Sequence, residues 1–346
     1  MHILVVFTGG TIGSSVSEGF ITPDAQKGYR LLELYKGKCS KEALPEPCDF
    51  TVVEPVKILS ENMNCAIAAQ LVTEVKRQLC EKEYDGVVIC HGTDTLQYTA
   101  AMFGYCFGTG SIPIVFVSSN YVLEDARANG LINFAAAVSF IGKKAGRGVF
   151  IAYQNQSDRP RIHRATRVLP HLPYSDDVVS IMGQHYGSFT GNIFGIHTYD
   201  PNPDYEEKED EVPLLTTESV KDRNSGIVEI YPATGAMYPD LTAYPDSVKA
   251  ILHHTYHSGT ICADTPGLKE FAEQAYALGI PIFLTGREQG ICYESMKVFE
   301  KAGIRVLPKA SPIAMYIKLF LCVTAGKEPD EIMYSSLGGD LYEGKN

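Results

Sequence analysis

The chain has 346 residues, 45% of them hydrophobic, which is enough to build sizeable cores in two or three domains. Its formal net charge of -11 argues against a nucleic-acid footprint, because binding phosphates needs clustered Lys and Arg. No apolar run approaches the roughly 18 residues of a membrane span, and the nine cysteines, an odd number with no C-x-x-C pair, read as reduced thiols.

In chain order, Ile3-Leu4-Val5-Val6-Phe7 is an uninterrupted apolar run that predicts a buried strand, and it ends in Thr8-Gly9-Gly10-Thr11-Ile12-Gly13. Glycine lets the backbone approach a ligand closely, and a threonine hydroxyl becomes a nucleophile once a base takes its proton. The glycine spacing fits no dinucleotide fingerprint, and no Walker lysine follows. Residues 14–26, rich in Ser and Gly, read as a polar loop. A strand near 50–56 leads to Ser60, and a helix near 64–82 carries Ala66, Leu71, Val75 and Leu79 along one face.

The same pattern then repeats at Gly86-Val87-Val88-Ile89-Cys90, an apolar run that stops at His91-Gly92-Thr93-Asp94-Thr95. A strand that ends in reactive side chains places them in the crevice where open parallel sheets bind ligands. Asp94 or Thr95 can equally be no more than the N-cap of the next helix. Further signals predict a helix at 94–107, a strand at 112–117, a helix at 124–144, a strand at 148–153 and a hairpin arm at 160–168. A proline-rich and charged stretch, 197–224, reads as a solvated linker. Beyond it, strands at 226–231, 250–255 and 281–285 alternate with helices near 267–278, 293–302 and 312–325. Alternating strands and helices predict an α/β fold of mostly parallel sheets flanked by helices. The expected units are 1–196, a larger N-terminal domain, and 225–346, a smaller C-terminal α/β domain.

Thr8-Gly9-Gly10-Thr11-Ile12-Gly13 and His91-Gly92-Thr93-Asp94-Thr95, in this order, resemble the two signatures of the bacterial-type L-asparaginases. The resemblance continues through Ser60-Glu61-Asn62-Met63 and from Ser119-Asn120 to Arg127-Ala128-Asn129-Gly130, and more loosely to the C-terminal part. It implies a cofactor-free, metal-free hydrolysis of an amino-acid side-chain amide. Thr11 would be the attacking hydroxyl, Thr93 would stand beside it or activate water, and Asp94 would bind the substrate's α-amino group. Ser60 and Glu61 would grip its α-carboxylate and amino groups, with Gly10, Gly92 and Ser119 lining the site and backbone N–H groups stabilising the oxyanion. The loop after Thr11 would be a lid. A homodimer or homotetramer, with a neighbouring subunit closing each site, is also implied. Met1-His2 runs directly into a strand signal with no basic leader, and the motif resembles the cytoplasmic subclass.

Three residues depart from the family pattern. Phe20 stands where the lid carries a Tyr, Pro170 where the arm carries a Lys, and Asn129 where an Asp is usual. Arg164 and Arg167 are cations that could hold Asp94 or a substrate carboxylate, and His91 could accept a proton at neutral pH. His253, His254 and His257 invite a metal reading, which alternation along a strand opposes. Three functions are therefore open: an L-asparaginase-like amidohydrolase, a binding or sensing homologue that no longer turns over, and an amidase for another amide.

Overall fold

The computed structural model describes residues 1–10, 12, 14–17, 20–23, 25–39, 48–110, 112–197, 215–243, 247–286 and 293–342, of which 14–17, 20–23, 25–28 and 38–39 are described by backbone alone. The first strand, β1 (His2–Phe7), leads to a hairpin of β2 (Ser14–Ser17) and β3 (Phe20–Pro23), then α1 (Ala25–Cys39) and β4 (Asp49–Val53). α2 (Cys65–Glu81), β5 (Gly86–Cys90), α3 (Leu96–Phe107), β6 (Pro113–Val117), α4 (Gly130–Gly142) and β7 (Gly148–Gln154) follow. These strands pair in parallel in the order β4-β1-β5-β6-β7, and β8 (Pro160–Arg164), β9 (Gly187–Thr190) and β10 (Ile193–Ile196) extend the sheet antiparallel to eight strands.

The apolar runs are continuous because both faces of this sheet are covered. Leu4, Val6, Val87 and Ile89 pack toward α2 and α3, whereas Ile3, Val5, Val88 and Cys90 pack toward α1 and α4. A second sheet, all parallel, has the order of β11 (Ile227–Ile230), β12 (Ala250–His253), β13 (Ile282–Leu284) and β14 (Arg305–Val306), with α5 (Pro266–Ala277) and α6 (Lys297–Lys301) packed on one face.

Several expectations change. The polar loop of 14–26 contains the β2–β3 hairpin, registered from Ser14 opposite Pro23 to Ser17 opposite Phe20, and α1 begins at Ala25. The helix expected over 124–144 starts only at Gly130. Asp125 draws the Arg127 N–H and guanidinium back onto itself, and Asn120 and Asn129 exchange side-chain-to-backbone bonds, so 120–129 is held in turns. The arm at 160–168 becomes β8 followed by a 3-10 turn at Ala165–Arg167. Of the expected linker, 198–214 lies outside the described residues, and Leu215 at its end is buried in the main core.

The two sheets share one helix. α7 (Pro312–Thr324) turns Ile313, Ile317, Phe320 and Leu321 toward the core of the first sheet and Met315 and Leu319 toward the second. Ser311 caps it and donates 2.5 Å to the Val168 carbonyl. After α8 (Pro329–Tyr334) the chain returns to the first sheet. There Thr166 Oγ1 donates to the Gly338 carbonyl at 2.7 Å and Arg167 Nε to the Gly339 carbonyl at 2.6 Å. Asp340 accepts from Tyr105 Oη and from Lys318 Nζ, both at 2.9 Å, and Lys318 also donates to the Ser335 carbonyl.

Lys318 and Asp340 are both wholly inaccessible to solvent, so removing one leaves an unpaired buried charge. Asp340→Ala is expected to cost about 3–5 kcal/mol, whereas Lys318→Met with Asp340→Leu should recover most of that loss. Calorimetric Tm values for the single and double variants check this.

Candidate active site

The strand order reverses at β1. The chain goes from β1 to β4 on one side, and α2 carries it back past β1 to β5 on the other. Loops leaving the carboxyl ends of β1 and β5 therefore diverge, and the crevice between them is where such sheets bind ligands.

Three segments meet there with almost no side chain between them. Thr8 N–H donates to the Cys90 carbonyl at 3.1 Å, Ile58 N–H to the Thr8 carbonyl at 3.0 Å and Gly10 N–H to the Ile58 carbonyl at 3.1 Å. Gly10 has φ +70°, and a Cβ there would stand 2.4 Å from the backbone of Gly92. A Cβ on Gly92 would in turn stand 2.5 Å from Ser60 Cβ and Oγ. Ser60, held in a 3-10 turn before α2, is thus brought against the turn that follows β5.

The side chains of that turn do not cap α3. Ser60 Oγ donates to Asp94 Oδ2 at 2.6 Å, a short charge-assisted bond, and Thr95 Oγ1 donates to the Ser60 carbonyl at 2.8 Å. Thr95 is the N-cap residue yet makes no capping bond. Among the described residues the N–H groups of Gly92, Thr93 and Asp94 have no acceptor. They are free to donate to an anion or a developing oxyanion. Gly10 N–H, by contrast, is already committed to Ile58.

Thr11 lies outside the described residues, directly after Gly10, and the Phe20 backbone belongs to β3. Thr93 is half-buried, and Asp94 and Glu61 are exposed. Ser119 is fully buried, and its hydroxyl donates to the Tyr121 carbonyl at 2.6 Å and accepts from Gly130 N–H at 3.1 Å. Asn129 Nδ2 donates to the Gln154 carbonyl at 2.9 Å, a bond no carboxylate could make, which accounts for the amide at that position. Arg164 and Arg167 do not turn to Asp94. Arg164 lies over the rings of Phe150 and Tyr186, and Arg167 holds the C-terminal carbonyls. His253 bonds Tyr238, His254 pairs with Glu229, and no group of metal-binding side chains forms among the described residues. No helix of the described residues is long and apolar enough to cross a membrane.

His91 is wholly buried behind the turn, with Nδ1 2.8 Å from the Gly92 carbonyl and Nε2 without a partner. Burial pushes its pKa down to about 4, so it is a neutral structural donor rather than a base facing substrate. Sequence reasoning passed over His171, whose Nε2 lies 3.2 Å from the Thr93 carbonyl. The signal was its place directly after Pro170.

The family model named "Asparaginase, N-terminal" matches residues 2–171, the stretch that holds the β1 turn, Ser60, the β5 turn and the arm. The chain belongs to the asparaginase family. It is 27% identical over 358 residues to a glutamyl-tRNA(Gln) amidotransferase subunit of Haloquadratum walsbyi, covering 98% of this chain and 75% of that protein. It is 32% identical over 137 residues to L-asparaginase 1 of Escherichia coli, covering 39% of each. Its fold is that of the thermostable L-asparaginase from Thermococcus kodakarensis, with a TM-score of 0.78 at 22% identity over 99% of this chain and 100% of that one. L-asparaginase I from Vibrio cholerae superposes with a TM-score of 0.74 at 22% identity, over 99% of each chain. The chain is thus an asparaginase-family amidohydrolase of α/β fold.

Two outcomes test this site's packing and electrostatics. Gly10→Ala and Gly92→Ala should each cost about 1–3 kcal/mol by overpacking, and Ser60→Gly should relieve only the second. Urea midpoints report both. For His91, the native ring stays neutral down to about pH 4 while the unfolded chain takes up its proton near 6.5. The unfolded state binds more protons between those values, so stability falls as pH drops through that window, by about 2 kcal/mol from this group at pH 5. The loss in urea midpoint between pH 7 and pH 5 should shrink in His91→Leu.

Proposed function

We propose that this chain hydrolyses the side-chain amide of L-asparagine to L-aspartate and ammonia. The observation that carries the reading is the Ser60–Asp94 pair at 2.6 Å in the crevice between β1 and β5, beside free N–H groups at 92–94. A hydroxyl and a carboxylate so joined offer a clamp for an amino acid's ammonium and carboxylate, with Glu61 on the same turn. Thr11 Oγ attacks the carboxamide carbon, and the oxyanion draws on the N–H groups of the β5 turn. The C–N bond then breaks, ammonia leaves carrying the hydroxyl proton, and water, activated near Thr93, cleaves the acyl ester and restores Thr11. Gly10 and Gly92 keep the two loops close, and Ser119 braces the neighbouring loop. In this reading residues 1–196 carry the chemistry, a second copy closes each site in a homodimer or homotetramer, and the chain works in the cytoplasm.

A second reading is favoured by the relatives that match nearly the whole chain. They are glutamyl-tRNA(Gln) amidotransferase subunits, so amide hydrolysis here could feed an amidation rather than end in free ammonia. The net charge of -11 leaves the tRNA contacts of such an assembly to another protein.

Ammonia release from asparagine and from glutamine separates these readings, with asparagine expected to be the better substrate. Thr11→Val keeps size and β-branching while deleting the hydroxyl, so folding should persist and turnover vanish. Asp94→Asn should raise KM by about tenfold or more through the lost charge-assisted contact. Turnover that survives in Thr11→Val sinks the nucleophile assignment.

A further inference from the structure

We infer that His171 is a positioning residue for Thr93, gripping the turn after β5 through both ring nitrogens; this rests on the amide-hydrolysis reading above. Its Nδ1 lies 3.0 Å from the Asp177 carbonyl and its Nε2 3.2 Å from the Thr93 carbonyl. A carbonyl oxygen only accepts, so each contact needs an N–H on the ring. The protonated imidazole supplies both. Either neutral tautomer supplies one and turns a lone pair toward the other carbonyl.

The two bonds have different effects. The first closes the loop 171–177 on itself, and the second ties that loop to a turn 78 residues away in sequence. The base of the loop is firmly held. Leu169 N–H donates to the Val179 carbonyl at 2.9 Å, Asn155 bonds Val178 on both its donor and acceptor sides at 2.8 and 2.9 Å, and Tyr153 Oη donates to Asp176 at 2.9 Å. Within 171–177 the exposed residues are 172–174, at the tip. The ring is therefore mounted on a fixed frame.

What it grips is the start of α3. The Thr93 carbonyl also accepts from Leu96 N–H at 3.3 Å, so this oxygen sets the peptide plane that follows Thr93 and starts the helix. Holding it orients the Thr93 side chain and the adjacent free N–H groups together. The charged groups of the joined segments are Asp94 on the turn and Asp176 and Asp177 on the loop. Asp176 is engaged by Tyr153, Asp177 Oδ1 accepts from Gln156 N–H at 3.0 Å, and Arg167 of the arm points to the C-terminal carbonyls. Pro170 stands where the resemblance expects a lysine, and an imidazole one residue later takes over a donor's place beside the β5 turn.

The test uses the full chain with His171→Leu, His171→Gln and His171→Lys, assayed for ammonia release from asparagine between pH 5.5 and 8.5. His171→Leu should lower kcat about tenfold with KM changed less than about twofold, because the grip acts on Thr93 rather than on the Ser60–Asp94 clamp. His171→Lys keeps donors for both carbonyls and should recover most of the loss, and His171→Gln should fall between. A second measurement is independent of turnover. At pH 5.5, ring ¹⁵N–¹H spectra should show two slowly exchanging N–H groups that disappear in His171→Gln. Fast exchange at either nitrogen, or an unchanged kcat in His171→Leu, overturns the inference. If the wild type releases no ammonia from asparagine, the hydrolysis reading fails, and the ring spectra alone then decide whether His171 grips Thr93.

Discussion

The whole crevice depends on one steric constraint, the approach of Gly10 to Gly92 and of Gly92 to Ser60. Ladder-like bonds from Cys90 through Thr8 and Ile58 to Gly10 continue the β1 pairing past the ends of the strands. Backbone then lies against backbone, closer than any side chain permits. Ser60 reaches Asp94 only because nothing is wedged between them, and the N–H groups at 92–94 are left unpaired because the turn is pinned before α3 begins. Rigidity of this kind costs no reorganisation when charge develops, which is what an acyl-transfer site requires.

Much of this was legible in the sequence, for identifiable reasons. Apolar runs such as Ile3–Phe7 and Gly86–Cys90 mark strands buried on both faces, and the polar motifs that end them fall at the carboxyl edge. That Ser60 and Asp94 share one site followed only from resemblance, and their direct bond is seen only in the structure, since 34 residues separate them and no local pattern joins them. Other features were hidden because their causes are tertiary. β9 and β10 are short and owe their pairing to β8, and α1 has little apolar periodicity before Leu31. Turns over 120–129 override a helical-looking composition through side-chain bonds of Asp125, Asn120 and Asn129. Arg164 and Arg167 looked like partners for a carboxylate, and only packing reveals that aromatic rings and main-chain carbonyls claim them.

The departures from the family pattern acquire physical content in the same way. Asn129 is a donor that an aspartate could not be, and it fastens the loop after β6 to the end of β7. Where the arm ends in Pro170 the chain turns into a loop whose base is bonded at Asn155, Val178 and Leu169, so a side chain there is presented from a stiff support. His91 and His163 are held neutral by burial, whereas His171 is only half-buried, with a carbonyl oxygen near each ring nitrogen.

The C-terminal return has a consequence for how the protein is made. A ribosome delivers the first sheet long before it delivers Gly338, Gly339 and Asp340, yet Thr166, Arg167 and Tyr105 hold their bonds with those last residues. Until then the outer face of α3 lacks α7 and the arm lacks its acceptors, so the nascent N-terminal half carries a sticky, uncovered flank. The same half therefore makes a poor candidate for expression by itself. A premature stop late in the message would be expected to yield an aggregating chain rather than a shortened enzyme.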